Sequence, residues 1–284
     1  MKRTPQIDKK LDELLEKYDL IGQSTESYLE GLLYSNPLGY WDYIHTETLL
    51  SLQHPRTDFP DEMIFIMYHQ ITELYFKLSL HELEQIAYNG KNISESGQGL
   101  GWNKDLDPNY FTRRLKRINA YFESLTKSFD IMVQGMEPEQ FLKFRMALLP
   151  ASGFQSAQYR KIEICSTDLI NIVSIAKRDE LKGKSLEENF EFIYWKEGAT
   201  DLASGKKTLT LKEFERKYTD QLIGLAKRFE SRNMWQKFAE LDKKGLVTED
   251  LKNEMRQLDV NVNINWPLVH YKSAVRYLST DKKE

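Results

Sequence analysis

The sequence predicts an all-α fold, a large helical bundle forming a single domain over residues 1–284, on three observations. Apolar residues recur three and four apart through most of the chain, the spacing of one helix face. Proline, glycine and capping residues punctuate those stretches at about helix-length intervals. Strand-like alternation is scarce: only 203–211 reads as a short extended piece, and no repeat period is visible.

In order, residues 6–34 read as amphipathic helix, with Leu11, Leu14, Leu15, Tyr28, Leu32 and Leu33 at helical spacing, broken by Asn36-Pro37 and Gly39. A short helix follows over 42–52 and closes at His54-Pro55. Asp61 opens the strongest element, whose first-turn acids match the positive end of the helix dipole. It is apolar nearly all round through its first half, which predicts a central, buried helix. Residues 89–109, rich in glycine and asparagine, read as loop. Asp107-Pro108 starts a helix to about Gln134 with Leu115, Ile118, Phe122 and Leu125 on one stripe, and Met136-Glu137-Pro138 starts one that ends at Pro150. Ser152 with Gln155 fits a capping box, making 150–153 a tight helix-to-helix corner; Thr210 with Glu213 repeats the signature. Asn265-Trp266-Pro267 starts the last helix, with proline tolerated in its first turn.

Composition narrows the function classes. A chain of 284 residues, 40% hydrophobic and 12% aromatic, buries a substantial core. Net charge is −3 with acids and bases interspersed, which gives no case for nucleic acid or an anionic membrane. The single Cys165 excludes an internal disulfide framework and any multi-cysteine metal site. No apolar run approaches ~20 residues, and the charged N-terminus lacks the apolar core of a signal peptide, so the expectation is a cytoplasmic protein without a membrane span.

The sequence carries no nucleophile elbow and no phosphate-binding glycine loop, and His69 and His81 belong to no paired-histidine zinc motif. His45 and His54 flank chain breaks, and His270 says little alone. His69 lies in the most apolar helix, one turn after Phe65, so the two share a face. That pair suits a flat apolar ligand with one polar atom, or equally a core histidine bonded to a carbonyl or to Glu73. Arg145, among Phe141, Phe144, Leu148 and Leu149, must bury part of its stem and needs a carboxylate, from the protein or from a substrate. Tyr40 and Tyr43, three apart, form another aromatic face.

Taken together, "GYWDYIHTETLLSLQ", "DEMIFIMYHQITELYFKL", "FLKFRMALLPASGFQSAQYR" and "WPLVHYKSAVRYL" resemble the tryptophan 2,3-dioxygenase family in order and spacing, from about residue 30 onward. The resemblance implies an all-helical homotetramer with b-type heme that inserts both atoms of O2 across the indole C2–C3 bond of L-tryptophan, giving N-formyl-L-kynurenine, the first step of tryptophan catabolism. It implies His270 as the ligand of the heme iron and His69 as the distal histidine facing the indole N–H. It implies Phe65 as the aromatic wall and Arg145 as the carboxylate clamp. Ser152 and Gly153 become the small residues over the distal heme face. Tyr40 and Tyr43 become aromatics in a neighbouring subunit's pocket, carried by residues 1–44. Two departures accompany the match. Phe141 stands where the family commonly has a tyrosine, and the sequence stops at "YLSTDKKE", before the family's Gly-Thr-Gly-Gly loop. If residues 1–284 are the whole molecule, two contacts to the amino-acid group are expected to be missing.

Overall fold

The computed structural model describes residues 3–34, 39–149, 151–200 and 206–281. Asn36-Pro37-Leu38, Pro150 and residues 203–205 of the expected extended piece lie outside these. The chain divides into two compact units, residues 1–52 with 94–98, and residues 53–93 with 99–284.

In the first unit, the helix expected over 6–34 is two: α1 (Pro5–Leu20) and α2 (Thr25–Tyr34). Gly22 stops α1 at φ +66°, a left-handed conformation that costs glycine nothing. Tyr18 and Tyr28 stack across the break with centroids 4.3 Å apart. The short helix expected over 42–52 is likewise split, into α3 (Tyr40–Ile44) and α4 (Thr46–Leu50), because His45 between them adopts φ 53°. Tyr34 donates to the carbonyl of Ser96, tying residues 94–98 to α2.

The second unit is built on α5 (Asp61–Ala87). Tyr68, Thr72, Phe76, Ser79, Leu83 and Ile86 recur at helical spacing and are buried. The carboxylate of Glu62 accepts from the backbone N–H groups of Arg56 and Thr57, folding the preceding loop onto the first turn. The opposite face corrects the expectation of an all-round buried helix: Met67, Ile71, Leu74 and Leu78 are exposed. Beyond Asn89 and Gly90, both at positive φ, the stretch expected to be loop holds an antiparallel hairpin, β1 (Lys91–Ile93) with β2 (Gly99–Trp102). Every residue of both strands is exposed, so no buried alternation marked them in the sequence.

Asp107 caps α6 (Pro108–Ser128), accepting from Asn109 and Tyr110, and the helix buries Phe111, Leu115, Ile118, Phe122 and Leu125 completely. The expected run to Gln134 breaks there, and α7 (Asp130–Gln134) follows. α8 (Pro138–Leu148) is locked to the start of α5. Asp61 Oδ2 accepts from the Glu137 N–H at 2.6 Å, while the Asp61 N–H donates to Gln140 at 3.3 Å. The Ser152–Gln155 capping box is present around a single 3-10 turn, and Ser156 caps α9 (Ala157–Ser166). Short helices α10 (Ile175–Leu181), α11 (Leu186–Glu191) and α12 (Tyr194–Glu197) lead to α13 (Leu209–Phe229). Thr208 caps α13, not Thr210, because the hydroxyl two residues earlier reaches the Leu211 N–H at 3.3 Å. Then come α14 (Met234–Lys243) and α15 (Glu249–Val260), followed by a π-helical turn at Asn261–Asn265 and α16 (Trp266–Asp281). The last helix thus starts at Trp266 as expected, but continues from α15 through the π turn instead of following a break. Among the described residues, no helix is long and apolar enough to cross a membrane.

Candidate functional site

Of the second unit's predicted residues, Phe65 and His69 on α5 and Phe141 on α8 are brought into contact. Phe65 lies one turn before His69 on α5, and the two rings meet at a 37° tilt with centroids 4.2 Å apart. Phe141 and Phe144 of α8 close on Phe65 at 6.1 and 5.6 Å. Tyr277 of α16 then covers Phe141 at 4.3 Å. Further along α16, the imidazole of His270 lies 4.5 Å from the Phe129 ring and 4.4 Å from that of Trp266.

The two histidines are built alike. Nδ1 of His69 is 2.8 Å from the carbonyl oxygen of Phe65, and Nδ1 of His270 is 2.8 Å from that of Trp266. A carbonyl only accepts, so each Nδ1 carries the proton and each Nε2 keeps its lone pair. Burial pushes the His69 pKa below its ordinary 6.5, with the Phe65 carbonyl and Glu73 opposing in part. Burial also lowers that of His270, opposed by the Trp266 carbonyl and reinforced by the field of His69 itself. Both imidazoles are neutral at pH 7. His270 keeps part of its surface open to solvent while its surroundings still suppress its charge.

Arg145 is half-buried on α8, and among the described residues no carboxylate lies within ion-pair distance of it. The nearby acid of α5, Glu73, is engaged elsewhere: Gln158 donates to its carboxylate and to its backbone oxygen, each at 2.8 Å. Gln158 also fixes the beginning of α9 to α5 one turn beyond His69. At the corner before it, Ser152 Oγ accepts from the Phe154 N–H at 3.2 Å, and Gln155 donates to the Thr210 carbonyl at 3.2 Å. A Cβ added at Gly153 would meet no atom of the chain within 4 Å, so internal packing does not demand glycine there.

Tyr40 and Tyr43 belong to α3 in the first unit, 72% and 73% exposed. Sequence reasoning passed over Phe129, Tyr277 and Gln158; their types signal only packing or polarity until the helices are placed. A cleft of about 600 Å³ opens among α9, α14 and α15, lined partly by Glu163, Tyr194, Trp235 and Met255, and holds none of the predicted residues. Its buried Glu163 is satisfied by Arg160 at 3.1 Å and by the Tyr194 hydroxyl.

A b-type heme fits this donor set. An Nε2 lone pair on a neutral, backbone-oriented imidazole is what an axial iron ligand requires, and flat aromatic walls surround it. Among the described residues, no group of three or more histidine, cysteine and acidic side chains is arranged to hold a metal ion, so the fit is that of a single imidazole to a heme and not of a metal cluster.

Comparison with known proteins agrees with the geometry. The profile described as tryptophan 2,3-dioxygenase matches residues 31–272. A protein of that name from Ruegeria sp. (strain TM1040) is 38% identical over 130 residues, 46% of this chain and 42% of its own length. Its namesake from Shewanella woodyi is 36% identical over 143 residues, 49% and 45% of the two chains. One from Nocardioides sp. is 38% identical over 131 residues, covering 45% of each. In each comparison the chain spans less than half the length of the relative.

Proposed function

Because the chain belongs to the tryptophan 2,3-dioxygenase family, we propose that it is a heme-dependent dioxygenase acting in the cytoplasm. It adds both atoms of O2 across the indole C2–C3 bond of L-tryptophan to give N-formyl-L-kynurenine. The observation that carries this reading is the pair of neutral imidazoles, His69 and His270, each with Nδ1–H donated to its own helix and Nε2 free.

His270 would hold the heme through Nε2, with Ser152 and Gly153 as the small residues against it. When bound, the heme supplies the iron that takes up O2. The chain's own residues position the substrate. His69 Nε2 accepts the indole N–H and fixes the ring, while Phe65 supports its face. The Arg145 guanidinium, with no carboxylate within ion-pair distance among the described residues, grips the substrate carboxylate through two parallel hydrogen bonds. Phe141 adds apolar wall and no hydroxyl. Positioning of this kind, rather than proton transfer, is what these side chains contribute. His69 has no carboxylate among its hydrogen-bond partners and a depressed proton affinity, so it serves as an acceptor and not as an acid.

The apolar stripe of α5 and the exposed tyrosines of α3 support a homotetramer in which residues 1–44 complete a neighbour's pocket. The test is product analysis under ¹⁸O2 with hemin-loaded, reduced protein. Incorporation of two labelled atoms per tryptophan is expected. Incorporation of one, or oxidation of other indoles in preference to tryptophan, would replace this reading with that of a relative of different chemistry.

A further inference from the structure

The turn that delivers His270 is itself unusual. Residues 249–281 run as one continuous helix, interrupted by the π turn at Asn261–Asn265. Its defining bond joins the Trp266 N–H to the carbonyl of Asn261, five residues back. In an α-helix that N–H would serve Val262. The next nitrogen belongs to Pro267, which has no hydrogen to offer, so the Val262 carbonyl is stranded inside the helix. The Tyr159 hydroxyl of α9 takes it at 3.2 Å. Asn261, fully buried, is fixed in turn from three sides. It donates to Asn119 Oδ1 at 3.2 Å, and its own Oδ1 accepts from Gln257 at 3.2 Å and Asn265 at 3.0 Å. Asn119 is anchored by donating to the Glu254 carbonyl and carboxylate at 3.1 and 2.8 Å.

These bonds form one relay. Asn119 holds Asn261, the Asn261 carbonyl holds the Trp266 N–H, and the Trp266 carbonyl holds His270 Nδ1–H at 2.8 Å. A π turn inserts one extra residue, which rotates everything after it by ~100° relative to an uninterrupted helix. We propose that the π turn, locked by Asn261 and capped by Tyr159, is the device that sets the rotation of α16 and so aims His270 Nε2 at the heme iron. Tyr159, Asn261 and Asn119 are then positioning residues for the axial ligand, acting through Trp266. The proposal rests on the reading of His270 as that ligand, and adds to it what orients the ligand.

The test needs a readout independent of heme. In the ¹⁵N-labelled heme-free protein, imidazole nitrogen shifts report the His270 tautomer. The wild type should show one form, protonated at Nδ1. Tyr159→Phe strands the Val262 carbonyl and should populate the Nε2-protonated form, with hemin affinity falling about three- to tenfold, the scale of one neutral hydrogen bond. Deleting Asn263 removes the extra residue; it should abolish the single tautomer and the wild-type Soret band while helical circular dichroism persists. Tyr194→Phe, which also removes a hydrogen-bonded hydroxyl packed on α9, should leave His270 unchanged. A single Nδ1–H tautomer in Tyr159→Phe overturns the proposal, as does an equal loss in Tyr194→Phe. Should the deletion variant not fold, Tyr159→Phe decides alone. If His270→Ala takes up hemin with the wild-type spectrum, the heme reading fails instead, and the tautomer result still judges the π turn.

Discussion

The Phe65 carbonyl fixes the tautomer of His69, and burial keeps the ring uncharged. The folded-state pKa lies below the unfolded value of about 6.5, so between the two the unfolded chain binds more protons than the folded one. Stability is therefore full above about pH 6.5 and falls as pH drops below it. Thermal melts from pH 8 to 5 should show a flat midpoint, then a decline, and His69→Gln should remove part of that decline. An identical pH dependence in both proteins would contradict a neutral, buried His69. Arg145 makes a separate prediction. A partly desolvated, charge-assisted pair is worth ~1.5–3 kcal/mol, so Arg145→Ala should weaken tryptophan binding roughly 10- to 100-fold. Tryptamine, lacking the carboxylate, should bind wild type and variant about equally; a large difference would assign Arg145 a structural role.

At the scale of elements, Asp61 pins the start of α8 to α5, beside the packing of Phe141 and Phe144 on Phe65. Removing a buried acceptor leaves the Glu137 N–H unpaired, at a cost of ~1–3 kcal/mol. Asp61→Ala should lower the melting midpoint by several degrees, since each kcal/mol shifts a domain of this size by about 2–4 °C. It should also raise KM for tryptophan, because Phe141, Phe144 and Arg145 ride on that helix; an unchanged midpoint and KM would show the lock to be idle. Helices were legible where periodicity and caps agreed, as at Asp107 and at Ser152 with Gln155. They were misplaced where two capping residues competed, Thr208 against Thr210, or where one residue at positive φ divided a continuous apolar pattern, as at Gly22 and His45. The π turn left no periodic trace, because its cause is a missing hydrogen on Pro267 and its cap comes from Tyr159, 103 residues away in sequence. The site was legible by a different route. Residue patterns left His69 open between ligand-facing and core histidine and left His270 uninformative, and only the family resemblance paired them. That Arg145 has no carboxylate within ion-pair distance among the described residues became visible only once the helices were placed.

The molecule as a whole leaves a helical apolar stripe uncovered: Met67, Ile71, Leu74 and Leu78 on its central helix. Such a stripe on a helix whose other face is core is the surface the proposed tetramer would bury. If the protein is the proposed tetramer, Ile71→Glu with Leu74→Glu should shift its light-scattering mass toward monomer with little change in circular dichroism. Removing residues 1–44 should weaken tryptophan binding while hemin still binds. A fully active monomer would remove the case for shared pockets.

The central claim is that His270 is the heme ligand, and its most direct measurement is a hemin titration of wild type and His270→Ala followed by Soret absorbance. The account predicts saturation at one heme per chain in the wild type and loss of that band in the variant. Equal affinity and an unchanged spectrum in His270→Ala would contradict it.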